Sequence, residues 1–181
     1  MKLENIPNIL TLSRIILLPV FVAAFIYNRF EYALLIFILG SVTDLLDGLI
    51  ARLTMQVTEF GKILDPIADK FFLLTSFILM SVYGVLPKWI SIIVISRDLI
   101  VITGCLVIYF LTNNLRIEPT ALGKVTIALQ FILIGFALIT LNLKNGIEVP
   151  DFFIFLVALL TTVSGLQYVY KGMKIASSES V

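Results

Sequence analysis

Histidine is absent from this chain, and cysteine occurs once, at Cys105. The first absence excludes any mechanism built on a histidine base or nucleophile, phosphohistidine chemistry and His-ligated zinc. The second excludes an internal disulfide, and a lone thiol in an apolar run says nothing about redox compartment. Charge is also scarce. Charged residues make up 14% of the 181, against about 25% in a typical soluble domain. What replaces them is apolar: 60% of the residues are hydrophobic and the mean hydropathy is +1.08. These values describe an integral membrane protein. The length suits one membrane domain, residues 1–175, with a solvated, disordered tail at 176–181. No small-residue cleavage site ends the first apolar run cleanly, so an uncleaved membrane helix is expected rather than a signal peptide. No internal repeat or low-complexity segment is present, and no nucleic-acid partner is expected.

Six apolar segments approach the roughly 20 residues that a spanning helix needs. They are Ile9–Tyr27, Tyr32–Leu53, Gly61–Tyr83, Trp89–Leu111, Thr120–Leu141 and Phe152–Tyr170. The expected fold is therefore all-α, a polytopic protein of six transmembrane helices. Short connections rich in Asn, Gly, Pro and charge make neighbours antiparallel. Basic residues near helix ends set the orientation. One side collects Lys2, Arg14, Arg52, Lys62, Lys70, Arg116, Lys124, Lys171 and Lys174; the other has only Arg29, Lys88 and Lys144, with Arg97 in mid-span. Both termini are then expected in the cytosol of a cell with this protein in its inner or plasma membrane.

Against that background, four carboxylates stand close together: Asp44, Asp47, Asp65 and Asp69. Each would cost roughly 2.5–3.5 kcal/mol at the centre of a bilayer helix. Asp44 and Asp47 are three apart, with Gly48 and Ala51 on the same helical face; Asp65 and Asp69 are four apart, with Gly61 one turn earlier. A seven-residue loop, Thr54–Phe60, joins the two segments and lets the acidic faces oppose each other. Unscreened, the four charges would repel. An all-oxygen donor set suits Mg²⁺ or Mn²⁺. Two such ions, about 3.5–4 Å apart, would form a clamp for phosphoryl displacement. Gly48 and Ala51 leave space for a bulky anion, and Arg52 offers a fork to a phosphate oxygen. Pro66, placed early in the third helix, falls where a missing amide hydrogen is tolerated. Two other readings fit the acids: buried ion pairs such as Asp69 with Lys70 or Asp44 with Arg52, or a small cation transporter with intramembrane carboxylates.

These residues resemble the signature of the CDP-alcohol phosphatidyltransferases. Asp44, Asp47, Gly48, Ala51 and Arg52, eight further residues, then Gly61, Asp65 and Asp69 match that pattern in identity and spacing. The resemblance implies a six-helix membrane enzyme, often homodimeric, that moves a phosphatidyl group from a CDP-linked lipid to an alcohol and releases CMP. It implies that the four aspartates hold two metal ions and that Asp69 is the general base. It also implies that Gly48, Ala51, Arg52, Thr58 and Gly61 lie around the cytidine and pyrophosphate. The segment Pro7-Asn8-Ile-Leu-Thr11 is similar to the family's N-terminal stretch, so Asn8 and Thr11 join that set.

The acceptor is less defined. Arg97, Arg116 and Lys124 could form a basic pocket for a phosphorylated alcohol, although Arg97 beside Asp98 also reads as an intramembrane ion pair, and Arg116 and Lys124 as orienting charges. The segments Asn5–Arg14, Lys62–Lys70 and Gly123-Lys124 with Thr126 and Gln130 resemble the branch that uses CDP-diacylglycerol and glycerol 3-phosphate. That branch often carries a second arginine where this chain has Cys105. The run Ile95-Ser-Arg-Asp-Leu99 is similar to the cardiolipin synthases, whose acceptor is phosphatidylglycerol.

Overall fold

A computed structural model describes residues 6–54, 59–112, 120–143 and 148–178; within these, the side chains of 6–15, 44–54, 59–69, 105–106, 108–112 and 175–178 fall outside the description. Six helices run in order: α1 Ile6–Ile26, α2 Phe30–Thr54, α3 Glu59–Val82, α4 Lys88–Thr112, α5 Ala121–Asn142 and α6 Asp151–Ser178. No strand occurs among the described residues. The six expected segments are recovered to within a few residues, apart from two extensions. Four residues, rather than seven, separate α2 from α3. Residues 176–178, read as tail, continue α6, because Lys171–Ser178 holds no proline and a helix already running propagates easily through Lys, Met, Ile and Ala.

Local chemistry sets the turns. Asn28 has φ 54° and Gly84 has φ 74°, the left-handed values that Asn and Gly tolerate best. At the first turn, Arg29 N–H reaches Ala24 O and Asn28 N–H reaches Phe25 O; at the second, Val85 N–H reaches Met80 O and Gly84 N–H reaches Ser81 O. Both are the paired bonds of a Schellman ending, which satisfies carbonyls that a helix end would leave free. Thr120 caps α5, its hydroxyl accepting from Gly123 N–H at 3.1 Å.

One end of the bundle is stitched by side chains. Tyr83 Oη donates to Phe25 O at 2.6 Å, Asn142 Nδ2 to Phe30 O at 3.1 Å, and Ser81 and Ser91 pair at 2.6 Å. Trp89 and Phe155 meet at 5.2 Å between centroids. The C-terminal ends of α1, α3 and α5 therefore gather with the N-terminal ends of α2, α4 and α6. Helix direction alternates through the chain. The last turns of α2, α4 and α6 and the first turns of α1, α3 and α5 lie toward the opposite end, called here the motif end.

Helix α4 packs on α6, α1 on α2 and α3, and α5 on α6, α2 and α3. An aromatic cluster locks α1, α2 and α3 together. Phe21 lies 5.2 Å from Phe25, 6.4 Å from Phe37 and 5.2 Å from Phe72. Gly40 admits Phe72 to the face of α2, since a Cβ there would sit 3.3 Å from Phe72 Cζ. Outside this core the helices stay apolar. Among the described residues, Ala121–Asn142 and Asp151–Lys174 are long and apolar enough to cross a membrane, and 33% of each window is buried, far less than in the core helix of a soluble protein. Shorter apolar stretches cover Ile16–Ile26, Phe30–Thr43 and Lys70–Val82.

Because Phe21 is fully buried and Phe71 is exposed, Phe21→Ala should destabilise the protein by about 3–5 kcal/mol. Phe71→Ala should leave thermal unfolding in detergent nearly unchanged. Equal shifts for the two variants would show that the cluster is not the core.

Candidate functional site

The signature falls where the alternation of helices brings two ends together. Asp44, Asp47, Gly48, Ala51 and Arg52 occupy the last turns of α2, and Gly61, Asp65 and Asp69 the first turns of α3. Asn8 and Thr11 are in the opening turns of α1, at the same end. The backbone thus places these positions at one end of the bundle; their side chains lie outside the description. Thr58 and Arg116 lie outside the described residues altogether. Pro66 corrects the sequence reading: α3 begins at Glu59, so this proline stands in the third turn, not the first. It has no amide hydrogen to offer residue 62, and an interior proline of this kind bends a helix.

The residue after Asp69 connects the signature to the rest of the bundle. Lys70 Nζ lies 3.6 Å from Asp98 Oδ1, joining α3 to α4. The same oxygen accepts from Arg97 Nη1 at 2.7 Å. Arg97 Nη2 donates to Ser164 Oγ of α6 at 3.0 Å. The Tyr168 ring lies 5.3 Å from Arg97 Cζ, inside the range of a cation–π contact. Tyr168 Oη in turn accepts from Thr120 N–H at 3.2 Å. Lys124 is exposed one turn further along α5, its amide bonded to Thr120 O. Two of the three expected acceptor residues, Arg97 and Lys124, are therefore connected through α6 at the motif end.

Burial makes this network demanding. The side chains of Arg97 and Asp98 are 5% and 6% exposed, whereas Lys70 is 30% exposed. A buried ion pair loses hydration that only good geometry and further hydrogen bonds restore. Here the neighbouring charge, the Ser164 hydroxyl and the Tyr168 ring supply that compensation. Yet Arg97 Nε is buried and has no hydrogen-bond partner among the described residues. An unmatched donor of this kind costs about 1–3 kcal/mol. The ion-pair reading of Arg97-Asp98 is thus realised without using the whole guanidinium.

Several participants were not singled out from sequence as site residues. Lys70 served there to set orientation and as an ion-pair partner for Asp69, and Thr120, Ser164 and Tyr168 had no assigned role. A signal existed: Thr161, Ser164 and Tyr168 repeat at helical spacing on an otherwise apolar helix. As for metal, no group of three His, Cys, Asp or Glu clusters among the described residues, a set that omits the four signature aspartates. Their donor chemistry, oxygen only and on two helix segments at one end, fits a hard divalent ion.

Comparison with known proteins identifies the family. The family model for CDP-alcohol phosphatidyltransferase matches residues 4–164. A probable phosphatidylglycerophosphate synthase of Mycobacterium tuberculosis is 33% identical over 96% of this chain and 84% of its own length. A CDP-diacylglycerol–glycerol-3-phosphate 3-phosphatidyltransferase of Bacillus subtilis is 34% identical over 93% of this chain and 95% of its own length. A human CMP-forming cardiolipin synthase is 31% identical over 94% of this chain and 62% of its own length.

The two ion pairs of Asp98 should differ in weight. Asp98→Ala leaves the Arg97 charge buried and unmatched and should cost about 3–5 kcal/mol. Lys70→Ala removes a partly exposed, longer contact and should cost no more than about 1 kcal/mol. Denaturation of both variants in detergent checks the order; equal losses would contradict it.

Proposed function

The chain belongs to the CDP-alcohol phosphatidyltransferase family, and within it we propose that it transfers the phosphatidyl group of CDP-diacylglycerol to glycerol 3-phosphate, giving phosphatidylglycerophosphate and CMP. The observation that carries this reading is the link from Lys70, adjacent to Asp69, through Asp98 to Arg97. It sets a cationic cluster beside the signature, as a phosphorylated acceptor requires. The names of the bacterial relatives point the same way. Family membership sets aside the cation-transporter alternative.

In this reading, Asp44, Asp47, Asp65 and Asp69 hold divalent metal, two Mg²⁺ or Mn²⁺ ions. Bound metal neutralises the pyrophosphate and polarises its phosphorus. Asn8, Thr11, Gly48, Ala51, Arg52, Thr58 and Gly61 hold the cytidine diphosphate part. Asp69 accepts the proton of the acceptor hydroxyl. That oxygen forms the new bond to the phosphatidyl phosphorus as the bond to CMP breaks, and CMP leaves with the bonding pair. Arg97, Arg116 and Lys124 hold the acceptor phosphate. The six helices each cross the bilayer, the acyl chains stay in the lipid, and the motif end faces the cytosol. The excess of basic residues on that side supports the orientation. A homodimer is expected from the family resemblance.

A second reading has specific support. The Ile95–Leu99 run and the human relative favour phosphatidylglycerol as acceptor, which would yield cardiolipin. One assay separates the two. Purified protein with CDP-diacylglycerol and Mg²⁺ is offered glycerol 3-phosphate, phosphatidylglycerol, inositol phosphate or serine separately. CMP release is expected with glycerol 3-phosphate, and release with phosphatidylglycerol alone would replace the first reading by the second. A chelator should stop the reaction, and Asp69→Asn should slow it by at least about a hundredfold. Unchanged turnover in that variant would remove Asp69 from the role of base.

A further inference from the structure

The guanidinium of Arg97 is held on three sides by named groups. Nη1 is bound to Asp98 and Nη2 to Ser164, and Tyr168 lies against Cζ at 5.3 Å. Two of the three, Ser164 and Tyr168, stand one turn apart on α6. Gly165, between them, leaves room for the arginine stem: a Cβ there would come within 3.2 Å of Arg97 Cγ. A further donor, Nε, is buried and has no partner among the described residues.

Tyr168 has a second attachment. Its hydroxyl accepts from Thr120 N–H at 3.2 Å, at the cap of α5, one turn before Lys124. Gly123 fits closely against it, since a Cβ there would meet Tyr168 Oη at 3.1 Å and Cε2 at 3.2 Å. The ring face therefore fixes a cation of α4, and its hydroxyl fixes the helix end that carries a cation of α5.

From this we infer that Tyr168 is a positioning residue for the acceptor phosphate: it holds the Arg97 guanidinium in one plane and ties it to the α5 terminus bearing Lys124, so the two cations meet the anion at a preset separation. The inference rests on the reading of Arg97 as acceptor-binding. Its physical gain is preorganisation. An arginine already held loses little further freedom when a phosphate oxygen arrives. The chemistry recognised is a phosphate attached to an alcohol, either a small soluble monoester or the diester of a lipid headgroup.

The test is steady-state kinetics on the full-length protein in detergent micelles, with glycerol 3-phosphate and phosphatidylglycerol as separate acceptors. Tyr168→Leu should raise KM for whichever acceptor is used by about tenfold, the loss of a desolvated cation–π contact, while KM for CDP-diacylglycerol stays within about twofold. Tyr168→Phe keeps the ring and loses only the tie to Thr120, so it should give a smaller rise of the same KM, about threefold. In an Arg97→Lys background, Tyr168→Leu should add little, because an ammonium has no plane to fix. A purely structural tyrosine would shift both KM values together, or add its full effect in the Arg97→Lys background; either result overturns the inference, as does an unchanged acceptor KM. Should Tyr168→Leu fail to fold, Ser164→Ala supplies the same discrimination through Nη2, and an acceptor KM unmoved in both Ser164→Ala and Tyr168→Phe overturns the inference too. Failure of the underlying reading looks different: Arg97→Lys itself would then leave the acceptor KM unchanged.

Discussion

The carboxylate of Asp98 is the constraint on which the motif end depends. One of its oxygens serves Arg97 of its own helix and Lys70 of α3. Among the described residues, one buried negative charge there has two positive neighbours. Such an imbalance would favour a bound anion. It also joins the two halves of the problem. Lys70 follows Asp69 directly, so whatever orders α3 for the signature also sets one cation of the cluster.

The opposite end shows how the fold secures this arrangement. Schellman endings at Asn28 and Gly84 fix the exits of α1 and α3. The hydroxyls of Tyr83, Ser81 and Ser91 satisfy polar groups there, and the rings of Phe21, Phe25, Phe37 and Phe72 fill the space between the first three helices. A rigid base holding functional helix ends is a common way to combine stability with a polar site.

Much of this was legible in the sequence. Apolar runs fixed six helices because a spanning helix has a narrow length range, and the Asp44–Asp69 spacing fixed the family because each residue has a distinct chemical reason to be there. Boundaries were less legible. Polarity suggested a tail at 176–181, yet helix propagation needs only an absence of breakers, and Pro66 was placed too early because the start at Glu59 carries no strong cap signal. The ties of Arg97 were partly visible: Asp98 is its neighbour in sequence, whereas Ser164 is 67 positions away. Contacts that distant depend on which helices pack together, and α4 against α6 is not a pairing that chain order dictates.

That pairing bears on acceptor choice. The signature on α2 and α3 is common to enzymes with different alcohols, so it cannot by itself select one. Cys105 removes a second arginine from α4, two turns beyond Arg97 and about 12 Å along the axis. With that position neutral, α4 supplies one cation to the site, and any partner must come from another helix. Lys70 reaches the cluster from α3, and α6 links Arg97 to the α5 terminus that bears Lys124. Discrimination between a free phosphate monoester and a lipid diester then becomes a question of how these separate helices are held relative to one another. A monoester carries the greater charge and rewards a fixed pair of cations more strongly than a diester does. The tyrosine link between α5 and α6 is therefore a better place to look for acceptor preference than the aspartates that define the family.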